Sequence, residues 1–191
     1  MTNYMEIIRK LIYNIGEYGP FELTIVTCFL LRNKGNLFYY YVVGIVLNFI
    51  LNILLKVSFQ QPRPSDDIEK FNLAITNARS HLFNMVPFNI YGMPSGHAQS
   101  VIFSTVYIYL GLGLGLGLGL GSGLKNIRIL LFYLFISCIT LWQRVKYGYH
   151  TVSQILVGCS VGGLFAHAIF QLAKSNKMGI IKAKPDDNAP Y

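Results

Sequence analysis

Lys56, Arg63, Ser95, His97, Arg144 and His150 are the side chains of this sequence best suited to chemistry on an anion, and all six fall at matching ends of apolar segments. Lys56 and Arg63 follow the segment 37–55, Ser95 and His97 open 97–120, Arg144 closes 127–143, and His150 opens 151–173. If these segments are antiparallel membrane helices, the six groups meet on one face of the membrane. Three cations and two imidazoles sharing one polar pocket make a site for an anionic substrate, with groups able to attack it or move protons.

Each cluster has a plainer reading beside the chemical one. A lone lysine at a helix end is usually a snorkelling anchor. Lys56, however, is followed by Arg63 within Gln60-Gln61-Pro62-Arg63-Pro64, where two prolines hold the backbone extended or turned. In Tyr91-Gly92-Met93-Pro94-Ser95-Gly96-His97-Ala98-Gln99, Ser95 and Gly96 stand where unpaired N–H groups and the helix dipole form a phosphate cradle. Ser95 as a simple helix cap is the alternative, but a cap does not explain His97. Arg144 and His150 bracket the short turn 145–149, and Gln154 lies one helical turn beyond His150 on the same face. An amide there accepts from one imidazole nitrogen and leaves the other free, whereas an interfacial His-Tyr anchor is the bland option. His81 and His167 have no such companions, so the first is expected in solvent and the second packed between helices.

The elements that must position these groups are helices in a bilayer. At 191 residues, 53% hydrophobic, 13% charged and mean hydropathy +0.44, the chain has too little polar surface for a soluble globule. Residues 1–191 therefore read as a single all-α domain, a polytopic membrane helix bundle of about five transmembrane helices, each needing roughly 20 apolar residues. Four spans are expected near 37–56, 97–120, 127–143 and 151–173. A weaker one in 11–32 is interrupted by Asn14, Glu17, Pro20 and Glu22, which suggests an interfacial segment over 1–17, helical near 4–15, before a short span near 18–32. No cleavable signal peptide is evident. A loop over 57–96 carries the first two clusters, and 174–191 forms a tail.

The net charge of +8 does not mark a nucleic-acid partner, because the bases are divided by membrane side. Arg32, Lys34, Lys125, Arg128 and the tail lysines lie opposite the pocket, and this bias puts the tail in the cytoplasm and the pocket in a lumen or outside the cell. Cys28, Cys138 and Cys159 lack the spacing of a metal or disulfide framework and read as small core residues. The Leu-Gly alternation from Leu110 to Gly121 reads as helix and as a tolerated repeat; a groove for a lipid tail is the alternative. Asp66, Asp67 and Glu69 lie away from the clusters, so neither a metal nor a cofactor is expected.

Taken together, the three clusters resemble the three signature motifs of the type 2 phosphatidic acid phosphatase superfamily, which includes vanadium haloperoxidases. The resemblance covers about 18–173 and is nearest to dolichyl-diphosphatases, through Gly92-Met93-Pro94-Ser95 with His97 and Gln99, and through His150-Thr151-Val152-Ser153-Gln154. Two positions depart from the superfamily pattern: Gln143 stands where Ser is usual, and Gln154 where Asp is usual, the second in keeping with the dolichyl group. The resemblance implies a metal-independent membrane hydrolase that cleaves a polyprenyl (dolichyl) diphosphate to the monophosphate and phosphate. Charge on the equatorial phosphoryl oxygens would be held by Lys56, Arg63, Arg144 and the N–H groups near Ser95 and Gly96. His150, oriented by Gln154, would be the nucleophile that forms a phosphohistidine, and His97 the general acid. Membrane lipids are then the surroundings and a lipid phosphate the partner, at the endoplasmic reticulum with a lumenal site or the plasma membrane with an extracellular one. The alternatives are a broader phosphatase for phosphatidic acid or related monoesters, more distantly a glucose-6-phosphatase-like activity, and a non-catalytic lipid-binding protein that keeps the anion site. The apolar spans argue against a soluble haloperoxidase.

Overall fold

The structure, a computed structural model, describes residues 2–64, 90–113 and 123–175. These residues form five helices: α1 (Thr2–Leu31), α2 (Gly35–Phe59), α3 (Gly96–Gly113), α4 (Gly123–Lys146) and α5 (Val152–Ser175). Among the described residues there is no β-strand, only an isolated bridge between Pro62 and Tyr91. His81, Asp66, Asp67, Glu69, most of the Leu-Gly repeat and the tail from 176 lie outside the described residues.

Three helices, Gly35–Phe59, Asn126–Lys146 and Val152–Ser175, are long and apolar enough to cross a membrane. Their outer faces carry Phe49, Leu54, Leu131, Phe135, Leu156 and Leu164, all exposed. In water that surface would drive aggregation, whereas hydrocarbon accepts it and every helix satisfies its own backbone. The protein is a membrane helix bundle. Its interior is an aromatic core around Tyr41, Phe103, Tyr107 and Phe170, with Tyr107 and Phe170 edge to face at 5.4 Å.

Two close helix approaches set the register of the polar end. On α5, a Cβ at Gly158 would stand 2.6 Å from the Ser95 carbonyl, and one at Gly162 would collide with that of Gln99, so small residues one turn apart let α3 lie directly on α5. On α1, a Cβ at Gly16 would stand 2.6 Å from the Gln143 side chain, and one at Gly19 would meet Thr140, so α1 runs antiparallel against α4. Thr27 and Tyr133 hydroxyls meet at 2.7 Å farther along the same seam.

Four details differ from what the sequence suggests. The N-terminal region is one continuous helix through Pro20, with no break near residue 16; packing of Gly16 and Gly19 on α4 holds the segment helical where the polar interruptions suggested two pieces. The second helix runs to Phe59, beyond Lys56, and stops where Gln60 takes a left-handed conformation (φ 50°) just before Pro62. Cys138 is exposed on the outer face of α4 rather than a core residue. His167 is likewise exposed, bonded to Gln171 one turn away at 3.3 Å, because its side of α5 faces outward.

Candidate active site

The turn between α4 and α5 fixes His150 to Arg144 through the backbone. Gly148 adopts a left-handed conformation (φ 69°), which glycine tolerates without a Cβ clash. The wrapped chain brings the N–H groups of Tyr149 and His150 onto the Arg144 carbonyl at 3.0 and 3.1 Å. The next helix then begins on a reciprocal capping box. Gln154 N–H donates to Thr151 Oγ1 at 3.3 Å, and Thr151 N–H donates to Gln154 Oε1 at 3.2 Å.

The same Gln154 oxygen faces His150 Nδ1 at 3.2 Å. The amide cannot be turned round, since its nitrogen donates to the Pro62 carbonyl at 2.9 Å and to Gln61 Oε1 at 3.1 Å. Nδ1 therefore carries the proton and Nε2 keeps its lone pair. Burial first, and then the Arg63 charge, push the His150 pKa down to about 3 against the upward pull of Gln154, so the ring is neutral near pH 7. A neutral imidazole with one nitrogen bare is the form a nucleophile needs.

One face of α2 supplies the opposite wall. Asn48, Asn52 and Lys56 recur every four residues and are all buried. Gln99 of α3 donates to Asn48 Oδ1 at 2.9 Å and accepts from Asn52 at 2.8 Å, which ties α2 to α3. Lys56 turns inward rather than snorkelling, and its Nζ donates to the Tyr91 carbonyl at 2.7 Å. The segment 61–64 returns beside it, with Gly92 N–H on the Gln61 carbonyl at 2.7 Å, and so carries Arg63 to the same place.

These walls enclose a cavity of about 440 Å³ lined by Lys56, Arg63, Gly96, His97, Arg144 and His150. Six of the eight residues singled out from sequence thus share one space. Ser95 and Gln154 stand behind it and are buried. Ser95 Oγ faces the Ala98 N–H at 3.5 Å, the outer limit of a hydrogen bond, and its N–H donates to the Gln154 carbonyl at 3.1 Å, so its role in this structure is to join the starts of α3 and α5. Arg144 and Arg63 are each left with a buried Nε that has no partner among the described residues. Unpaired buried donors of this kind mark a place for an anion.

The sequence reading missed Glu17. Asp66, Asp67 and Glu69 were set aside as lying away from the clusters and Glu17 was read only as an interruption of an apolar segment, yet Glu17 lines the cavity and pairs with Arg144 Nη2 at 2.7 Å. Gln143 donates to the same carboxylate oxygen at 3.3 Å, and His97 Nε2 donates to the Glu17 carbonyl at 3.1 Å. The signal was present as an acid in an otherwise apolar segment, but the partner lay far along the chain. The Tyr149 ring lies against the Arg144 guanidinium at 4.8 Å, so that side chain is held on two sides.

Residues 37–178 match the PAP2 superfamily. The chain belongs to it. All three PAP2 clusters fall inside the matched region, and Glu17 falls outside it. Among similar proteins, the chain is 30% identical over 132 residues to lipid phosphate phosphatase gamma of Arabidopsis thaliana, covering 69% of this chain and 51% of that protein. It is 30% identical over 139 residues to lipid phosphate phosphatase epsilon 2, chloroplastic, of the same organism, covering 72% of this chain and 40% of that protein. The PAP2 chain described here thus spans about half the length, or less, of these curated relatives. No solved structure matches it.

Proposed function

We propose that this chain is an integral membrane phosphatase that hydrolyses a polyprenyl diphosphate such as dolichyl diphosphate to the monophosphate and phosphate. The observation that carries the reading is His150, neutral and held through Nδ1 by Gln154, on the wall of a cavity that also presents Lys56, Arg63 and Arg144. Nε2 attacks phosphorus while the bond to the leaving oxygen breaks, and the cations offset charge on the equatorial oxygens. Burial and the Arg144 charge hold the His97 pKa down, and the bound anion, by opposing that charge, brings on the proton that His97 gives to the leaving oxygen. Water then displaces phosphate from the phosphohistidine. These roles need no metal.

A lipid fits better than a soluble phosphate because of the rim. Tyr18, Phe21 and Phe49 line the cavity mouth and are exposed, so a headgroup among the cations can keep its tail in the hydrocarbon. The names of the two plant relatives favour a second reading, a broader lipid phosphate phosphatase acting on phosphatidic acid or related monoesters. We place the site in the lumen of the endoplasmic reticulum or outside the plasma membrane, from the cations Lys34, Arg128 and Lys174 toward the other end of the bundle.

The deciding experiment is phosphate release by the purified chain in detergent from dolichyl diphosphate, undecaprenyl diphosphate, phosphatidic acid and a soluble sugar phosphate, each with and without EDTA. Preferred turnover of the diphosphates, unaffected by EDTA, is the expected result. Absence of turnover on all four would favour a non-catalytic lipid-binding protein, and loss with EDTA would overturn metal independence.

A further inference from the structure

Glu17 is an acid on the wall of a cavity whose other charged groups are cations. Its position is enforced, because the glycines on either side of it, Gly16 and Gly19, let α1 settle directly on Gln143 and Thr140 of α4. The carboxylate takes one end of the Arg144 guanidinium at 2.7 Å and a second hydrogen bond from Gln143 at 3.3 Å. The Arg144 Nε, buried and without a partner among the described residues, is left for another acceptor. A carboxylate and a phosphate oxygen are the same kind of acceptor for a guanidinium fork. Anything anionic that binds Arg144 must therefore share that side chain with a fixed negative charge.

We propose that Glu17 is a binding-site residue that speeds product release: by occupying part of Arg144 it weakens the hold of the site on bound anions, released inorganic phosphate included. This rests on the reading of the cavity as a phosphatase site. Three cations in a partly enclosed pocket, left unopposed, would bind free phosphate tightly in the ground state and slow turnover through product inhibition. One opposing carboxylate lowers that affinity for every bound anion. The lipid substrate recovers binding through its tail, and inorganic phosphate has no tail. Glu17 thus lowers retention of the released phosphate, while the tail offsets the same loss for the lipid substrate.

The test uses Glu17→Gln, which preserves an acceptor for Arg144 and removes the charge. Binding of inorganic phosphate to the full chain in detergent, read by isothermal titration calorimetry, is expected to tighten about tenfold in the variant, the effect of removing one like charge at close range. Inhibition of turnover by added phosphate should strengthen by the same factor. Equal or weaker phosphate binding in Glu17→Gln would overturn this role while leaving the phosphatase reading intact. Phosphate binding by neither protein would overturn the anion pocket itself, and this inference with it. If Glu17→Gln does not fold, Glu17→Asp carries the test. Its carboxylate falls a methylene short of Arg144, and phosphate binding should again tighten, by a smaller factor; unchanged or weaker binding there counts against the proposal.

Discussion

His150 Nδ1 donates to Gln154 Oε1 at 3.2 Å, and that oxygen is aimed at the ring because the amide nitrogen is committed to the Pro62 carbonyl at 2.9 Å. Gln154 thus does what a carboxylate would do for tautomer and orientation, without adding charge. Gln154→Ala should lower kcat about a hundredfold and raise KM by a smaller factor, since Lys56 and Arg144 keep their contacts while the Gln61-Pro62 segment beside Arg63 loses one of its holds. Steady-state kinetics on the preferred lipid checks this; a rise in KM at constant kcat would assign Gln154 to binding instead.

His150→Ala should abolish phosphate release and leave the bundle folded, because His150 contributes a ring to the cavity wall rather than to the aromatic core. Rapid quenching of the wild-type chain with labelled substrate should trap phosphate on His150. A label on any other residue would reassign the nucleophile.

The two imidazoles can be separated by leaving group. A phosphate leaving from a diphosphate is a much weaker base than the alkoxide leaving from a monoester, so it needs less help from a general acid. His97→Asn should therefore reduce hydrolysis of phosphatidic acid by at least about tenfold more than that of dolichyl diphosphate. Equal losses on both substrates would remove His97 from the acid role and leave it as part of the wall, held by Glu17.

The clusters were legible in the sequence because each is local: Lys56 to Arg63, Pro94 to His97 and Arg144 to Gln154 are short stretches whose spacing survives folding. The starts of α3 and α5 were legible to within a residue for the same reason. Contacts that join distant positions were not. Glu17 meets Arg144 only because Gly16 and Gly19 fit against α4, and a lone acid in an apolar segment says nothing of its partner. The pattern Thr151-x-x-Gln154 did spell a capping box, but Gln154 was read only for what it does to His150. Which of Cys138 and His167 face outward depended on the rotation of each helix, and long apolar stretches leave that rotation undetermined.

Acid should expose the buried state of His150. Its pKa is about 3 in the folded chain against an ordinary 6.5, so above pH 6.5 both folded and unfolded chains carry it neutral and it adds no pH dependence. Between these two values the unfolded chain binds a proton that the folded chain refuses, and stability falls as the pH falls. His150→Gln should therefore lose less thermal stability than wild type between pH 6.5 and pH 4, measured by unfolding midpoints in detergent. Parallel curves for the two proteins would mean that His150 titrates normally.

Packing of α3 on α5 carries a sharper stability prediction. Gly162→Ala places a methyl group against the Gln99 carbonyl, where backbone rather than a flexible side chain must yield. The cost should be about 1–3 kcal/mol. It should lower activity as well, since the Ser95 and Gln154 backbones that join the two helix starts would part. Gly163→Ala, whose new methyl group would meet the Ile102 side chain at an ordinary 3.6 Å, is the control and should change neither. Alanine is the better helix former, so a shared loss in both variants would trace to crowding along this whole face rather than to the Gln99 contact.

Topology is the last consequence, because the site exists only if the α2–α3 and α4–α5 connections share a membrane face. Tyr147 lies in the α4–α5 turn at the cavity end, and Lys34 lies in the α1–α2 turn at the opposite end of α2. With Cys28, Cys138 and Cys159 replaced, single cysteines at Tyr147 and Ser58 should react with an impermeant thiol reagent from the lumenal or extracellular side, and a cysteine at Lys34 only after the membrane is opened. Ser58 is exposed near the end of α2, within a turn of Lys56, so it reports the same wall of the pocket from another helix. Labelling of Tyr147 and Ser58 from opposite faces would contradict the bundle itself. Labelling of both from the cytoplasm, with Lys34 outside, would leave the catalytic geometry in place and reverse only its compartment, with the substrate then drawn from the inner leaflet.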